Sequence, residues 1–240
     1  MFLPKNTDRQ KISKLAVDIS DFEKYRMTED NFGNQKLYGL IEASHDVFEV
    51  KISGEASTGH GINEEYTGYP FAFSLLKAQT ALTAPGKKLA EYHQNLELSN
   101  FAGPYDKALQ IMNTLHYTFI YDTEATNVHE TAENALAIGK GVCQDYAHIM
   151  LSLLRTENIP ARYVVGMMLG EGSSHAWVEA LCNGYWYGFD PTNNKLVNDD
   201  YIRVSCGRDS GDCSVIRGSF YGCVTQLQSE TVIVEETEKD

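Results

Sequence analysis

Ser174-His175-Ala176-Trp177-Val178-Glu179-Ala180-Leu181-Cys182-Asn183-Gly184-Tyr185-Trp186-Tyr187-Gly188-Phe189-Asp190 reads as two apolar runs joined by Asn183-Gly184. That dipeptide is the strongest short-range hairpin signal, because both turn residues tolerate a positive φ. A two-residue turn fixes the register. Cys182 then faces Tyr185, Leu181 faces Trp186, and Trp177 faces Asp190. His175 lies two residues from Trp177 and so shares the face of Asp190. The two become diagonal neighbours about 7–8 Å apart at the backbone, a span that a His–Asp hydrogen bond bridges. Taken alone, the pair reads rather as a structural contact at a sheet end.

Upstream, Gly139-Lys140-Gly141 leads into Val142–Glu157, where Cys143, Ala147, Met150, Leu151 and Leu154 form one apolar stripe. Tyr146, Ile149 and Leu153 widen it, while Asp145, His148, Ser152 and Arg155 form a polar stripe. Asn158-Ile159-Pro160 ends the helix. Cys143 falls in the first turn behind a Gly-x-Gly loop. Helix starts of this kind lower a thiol pKa, and the glycines let another chain come close. The opposing reading is a small buried hydrophobe, the common fate of a free cysteine. His148 lies about 140° around the helix from the sulfur, so it reads as a solvated helix histidine rather than the base. His175 and Asp190 complete a thiol–imidazole–carboxylate set with Cys143.

Working outward, Tyr105–Thr118 and Glu130–Ile138 are two further helices by apolar spacing. After Pro160 the texture is strand: Ala161–Leu169, His175–Cys182, Tyr185–Asp190, Tyr201–Cys206, Ser219–Val224 and Thr231–Glu235. Helices followed by antiparallel strands predict an α+β domain over 104–240. Residues 1–85 read as a β-rich unit, with strands at Ile12–Ile19 and His45–Ile52 and turn chemistry at Asp30-Asn31-Phe32-Gly33-Asn34. Residues 86–103 read as a connection after the Pro85-Gly86 break.

The 240 residues are 42% hydrophobic and 22% charged, which suits a folded chain and excludes a disordered or collagen-like one. Twenty basic against 33 acidic residues, net −13, argue against nucleic acid and anionic membranes as partners. No apolar run is long enough to span a bilayer, and the first residues lack a signal-peptide apolar region. Five cysteines, an odd number, point to a reducing compartment, hence a cytoplasmic location. Cys206, Cys213 and Cys223 lack zinc-site spacing, and with Cys182 they read as core thiols.

Four ordered segments carry a resemblance. They are Gly141-Val142-Cys143-Gln144-Asp145-Tyr146-Ala147-His148, Ile159-Pro160-Ala161-Arg162-Tyr163-Val164, Ser174-His175-Ala176-Trp177-Val178-Glu179 and Gly188-Phe189-Asp190-Pro191-Thr192. Together they resemble the bacterial transglutaminase-like superfamily, often described as cysteine proteases. Ile202-Arg203-Val204 and Gly207-Arg208-Asp209 continue the match, which covers roughly 105–225. The front resembles the end of that family's β-rich N-terminal region, whose first strands have no counterpart here.

The resemblance implies a papain-like core with Cys143 as nucleophile, His175 as base and acid, and Asp190 as orienter. It implies acyl transfer through a thioester on a peptide or protein amide. Water as acceptor gives a peptidase or amidase, the leading expectation; an amine acceptor gives a transglutaminase. A non-catalytic binding module keeping the fold is the alternative from another class. No cofactor or metal is expected, and no calcium-loop ligand run is present.

An oxyanion hole needs donors aimed at developing charge. The Cys143 N–H is the natural first donor, with Tyr121 and Gln144 as candidates for a second. Trp177 and Trp186 share the face of His175 and Asp190. They either line the substrate cleft or, the preferred reading, pack the sheet. Gly207-Arg208-Asp209 reads as a structural turn with an ion pair.

Overall fold

The structure, a computed structural model, describes all residues except 21–24, 43, 60–62, 68–69, 220–226 and 238–240, and of 70–72 the backbone alone. Its front carries β1 (Phe2–Leu3), β2 (Gln10–Ile19), β3 (Tyr25–Glu29), β4 (Gln35–Gly39) and β5 (Val50–Thr58). β3 and β4 form a hairpin extended by β1, while β2 pairs antiparallel with β5. The turn read from Asp30-Asn31-Phe32-Gly33-Asn34 is present. Asp30 Oδ1 accepts the N–H groups of Phe32 and Asn34, both at 2.9 Å, and Gly33 takes a φ of 74°. The strand expected over His45–Ile52 begins later, at Val50, and runs on to Thr58.

Next come elements the pattern did not reveal. β6 (Glu64–Glu65) joins the main sheet, and α1 (Pro70–Lys77) packs Leu76 against Leu181 and Trp186. The stretch expected to be a connection holds α2 (Lys87–Asn95) and a 3₁₀ turn at Leu98–Asn100. α2 is mostly polar, with Leu89 buried and Tyr92 packed against the core. Its first N–H groups have no local side-chain cap. Instead the Glu133 carboxylate accepts from Gly86, Lys88 and Leu89 at 2.9, 2.7 and 3.0 Å. This satisfies orphan donors at the positive helix end.

α3 (Pro104–Thr118), β7 (Ile120–Tyr121), α4 (Ala132–Ile138), β8 (Lys140–Gly141) and α5 (Cys143–Thr156) follow, close to expectation. Then come β9 (Ala161–Met168), β10 (Gly170–Gly172), β11 (His175–Cys182), β12 (Tyr185–Asp190), β13 (Lys195–Leu196), β14 (Tyr201–Gly207) and β15 (Val232–Val234). The main sheet has the order β13-β12-β11-β9-β14, with β6 also on β12, and every pairing is antiparallel. The strand read over Ser219–Val224 lies outside the described residues beyond Ser219. β15 pairs with β10.

α5 lies against one sheet face, where Ala176, Val178, Ala180 and Cys182 alternate inward and join its apolar stripe in the main core. The polar stripe of α5 does not face solvent. Asp145, His148, Ser152 and Arg155 are all buried, because α1 and the segment after β14 cover that side as well. His148, expected to be solvated, is fully enclosed and accepts the Ser210 N–H at 3.2 Å. Burial holds its pKa down at about 4, so the ring is neutral. Arg155 donates to the carbonyls of Leu76, Ala161 and Arg208 and to Thr83 Oγ1. The Gly207-Arg208-Asp209 turn is structural as expected, with Arg208 forking onto Asp212 at 2.7 and 3.0 Å.

The front unit closes the edge of β14 with side-chain amides. Gln10 exchanges two hydrogen bonds with the Arg203 backbone, both 2.8 Å, and Asn34 does the same with Cys206 at 2.7 and 2.8 Å. Each amide fills the ladder positions a further strand would occupy, which is how an exposed edge is blunted.

Candidate active site

The loop into α5 places the thiol. α4 ends on Gly139 at φ 82°, and β8 pairs in parallel with β7, setting Tyr121 opposite Gly141. Val142 stays extended as N-cap, and Cys143 opens the helix half-buried. Asp145, three residues past the cap, accepts the Val142 N–H at 2.8 Å and the Thr126 hydroxyl at 2.6 Å. Its carboxylate fills the space beside Gly141: a Cβ there would sit 2.3 Å from Asp145 Oδ2. Gly141→Ala should therefore displace Asp145, loosen the turn under Cys143, and lower both thermal stability and thiol reactivity. Unchanged values of both in the variant would contradict this.

The hairpin register is as read, with Cys182 opposite Tyr185, Leu181 opposite Trp186, and Asn183 and Gly184 at φ 52° and 90°. It brings His175 Nε2 to 2.8 Å from Asp190 Oδ2. Burial would lower the His175 pKa, but the hydrogen bonds to Asp190 and Cys143 and their negative charge outweigh it and carry it up to about 9. His175 thus has Asp190 as its hydrogen-bond partner and Cys143 among the groups that raise its pKa.

Two partners of Asp190 were missed. The fully buried carboxylate accepts Asn193 Nδ2 and the Tyr201 hydroxyl on Oδ2, both at 2.8 Å, and the N–H groups of Thr192 and Asn193 on Oδ1 at 3.0 and 3.2 Å. Burial works against its charge, and the bonds from His175, Asn193 and Tyr201 more than offset this, holding the carboxyl below the usual range. Asn193 could have been suspected, since Asp-Pro-Thr-Asn is turn chemistry in which an Asx side chain folds back. Tyr201 had no local signal. His116 Nδ1 lies 3.0 Å from the Thr192 carbonyl and ties α3 to the same turn.

The remaining candidates separate. Tyr121 is 53% exposed beside the helix start. Its phenol pKa is pushed up, first by partial burial and then by the neighbourhood of Cys143. Gln144 turns its amide away, donating to the Val128 carbonyl at 3.2 Å. Trp177 and Trp186 are only 1% and 3% exposed, and Trp177 lies in the wall of a small pocket together with Tyr201 and Arg203. Trp177 stacks near His175, with centroids 6.4 Å apart, and packs with Val164, Tyr201 and Cys206. Trp186 belongs to a separate cluster with Leu76 and Leu181, under the Arg162 guanidinium. Both rings are packed against the sheet. Cys182, Cys206 and Cys213 are buried free thiols, and Cys223 lies outside the described residues.

Beyond the site, the resemblance motifs supply Arg162, Glu179 and Arg203 to a buried ion cluster. Arg162 donates to Glu179 Oε2 at 2.7 Å and Glu64 Oε2 at 2.6 Å, and Arg203 bridges the same two carboxylates at 2.9 and 3.2 Å. Among the described residues, no cluster of metal-binding side chains occurs and no helix is long and apolar enough to cross a membrane.

Comparison with known proteins converges on the same segment. Residues 94–191, which contain Cys143, His175 and Asp190, match the transglutaminase-like superfamily. An uncharacterized protein of Mycobacterium leprae is 34% identical over 153 residues, 60% of this chain and 51% of its own. The matched stretch thus spans about half the length of that relative. An uncharacterized protein of Mycobacterium tuberculosis H37Rv is 24% identical over 251 aligned positions, 91% of this chain and 79% of its own. A crystal structure from Cytophaga hutchinsonii named "Putative Cysteine Protease" superposes with a TM-score of 0.70 at 20% identity, over 88% of this chain and 76% of that one. It shares the fold.

Proposed function

We propose, from the match of residues 94–191 to the transglutaminase-like superfamily, that the chain is a cysteine-dependent acyl-transfer enzyme. It acts on peptide or protein amides through a thioester at Cys143, with water as acceptor. The observation that carries this is the 2.8 Å bond between His175 and Asp190, with Cys143 at the start of α5 acting on the same imidazole.

At neutral pH the ring is protonated, since its pKa is about 9. A protonated imidazole is the counter-ion a thiolate needs. Sulfur attacks the amide carbonyl and forms the C–S bond. The tetrahedral oxyanion is met by the Cys143 N–H and, in this reading, by the Tyr121 hydroxyl. The C–N bond then breaks, and the leaving amine takes its proton from His175. Water attacks the thioester next, His175 takes the water's proton, and the C–S bond breaks to release the acid. Asp190 stays ionised throughout and stabilises the imidazolium.

The free thiols Cys182, Cys206 and Cys213 support a reducing setting for this activity, which we take to be the cytoplasm.

The test is cleavage of a peptide library by the purified chain, read by mass spectrometry with and without an added primary amine. Hydrolysed peptides that carry no amine are expected. Turnover should fall as pH rises through about 9, because His175 loses the proton it gives to the leaving group. Amine-linked products alone would assign a transglutaminase. No turnover with either acceptor would leave only the fold.

A further inference from the structure

Three donors crowd one oxygen of the candidate triad. Asp190 Oδ2 accepts from His175 Nε2, Asn193 Nδ2 and Tyr201 Oη, each at 2.8 Å, while Oδ1 takes two backbone N–H groups. A carboxylate has about four lone-pair sites in all, so five donors saturate it. Each bond accepted lowers the affinity of that carboxylate for a proton. How strongly Asp190 holds the imidazolium therefore depends on how many other donors it serves.

We propose that Tyr201 is a positioning residue for the His175–Asp190 pair: its hydroxyl takes up part of the basicity of Asp190 and so sets the pH at which His175 gives up its proton. The proposal rests on the acyl-transfer reading only for its consequence in turnover; the titration of His175 stands without it.

Tyr201 is built for a fixed donor role. It is buried, and its ring packs edge-on against Trp177 with centroids 5.4 Å apart, beside Val164 and Cys206. Burial and the negative charge of Asp190 push its pKa far above the ordinary tyrosine value, so the proton stays on its oxygen. Because Tyr201 opens β14 and His175 opens β11, two strands on either side of β9, the sheet fixes their separation. The other ionisable groups facing the pair are Cys143 from α5, Lys195 opposite Asp190 on β13, His116 from α3 against Thr192, and Asp200 beside Tyr201. None of these donates to Asp190, so among side chains the adjustment falls to Tyr201 and Asn193.

The experiment is an NMR titration of His175 in histidine-¹⁵N-labelled full-length protein, comparing wild type, Tyr201→Phe, and protein with 3-fluorotyrosine at position 201. Phenylalanine removes only the hydroxyl. Asp190 then becomes more basic, and the His175 midpoint should rise by about half a pH unit. Fluorination makes the phenol a stronger donor, and the midpoint should fall. This second protein keeps the test decisive if Tyr201→Phe does not fold. Once a substrate is in hand, the alkaline limb of kcat/KM should follow the same two directions. A merely structural Tyr201 would give the opposite sign in Tyr201→Phe, because a loosened pair holds the imidazolium less well. That outcome, or a midpoint that fluorination leaves unmoved, overturns the proposal.

Discussion

Cys143→Ala should abolish turnover, whereas Asp190→Ala should leave a measurable rate. In the proposed mechanism the thiol forms the bond that carries the acyl group, so its removal closes the covalent route. The carboxylate would only orient the ring and stabilise its charge, so that without it thiol and imidazole would still meet part of the time. In a serine protease of the same logic, loss of the nucleophile costs about 10⁶-fold in kcat and loss of the aspartate about 10⁴-fold, and a gap of that order is expected here. The fold adds a condition. Asp190→Ala would orphan the hydroxyl of Tyr201, the amide of Asn193 and two backbone N–H groups as well as His175. Unpaired buried donors destabilise, so both variants must first be shown folded by circular dichroism and thermal melting. Equal loss of kcat/KM in two folded proteins would mean that Asp190 does more than orient. Full activity in Cys143→Ala would end the covalent mechanism.

The largest effect on stability is expected at Arg203→Ala. Glu64 and Glu179 share Arg162 and Arg203 in a cluster where all four side chains are largely buried. Burial alone would raise the Glu64 pKa, but the two guanidinium groups bring it down to about 2. The cluster therefore stabilises the fold fully above the ordinary glutamate pKa and loses that contribution as pH falls through about 2. Removing Arg203 leaves two buried carboxylates facing one cation. Breaking a buried pair in this way costs about 3–5 kcal/mol. The midpoint of urea unfolding at pH 7 measures it. A loss below about 1 kcal/mol, the range of exposed pairs, would show that the cluster is solvated in practice.

The sequence spoke most clearly where the structure is local. Asn183-Gly184 sets a register, and the register alone brings His175 to Asp190. The apolar stripe of α5 likewise predicted which side meets the sheet. Its polar stripe misled, because a helix in the middle of a domain is covered on both sides. His148 and Arg155 are polar for the sake of the carbonyls and N–H groups they meet, not for water. α2 was hidden for the converse reason. Lys87–Asn95 has almost no apolar face, and its start is capped by Glu133, 44 to 47 residues away. Tyr201 escaped notice because its bond to Asp190 crosses the sheet between strands that no short turn connects. Arg162, Glu179 and Arg203 were visible within the motifs, but their common purpose appears only once Glu64 on β6 completes the cluster.

The most direct test of the central claim, that Cys143 is a nucleophile activated by His175, is the rate of its alkylation by iodoacetamide between pH 5 and 8, read site by site by mass spectrometry. The account predicts that Cys143 is labelled readily across that range, well ahead of Cys182, Cys206 and Cys213, and that His175→Ala removes the advantage at the acid end. Labelling of Cys143 that is as slow as that of the buried thiols, or unaffected by the loss of His175, would contradict it.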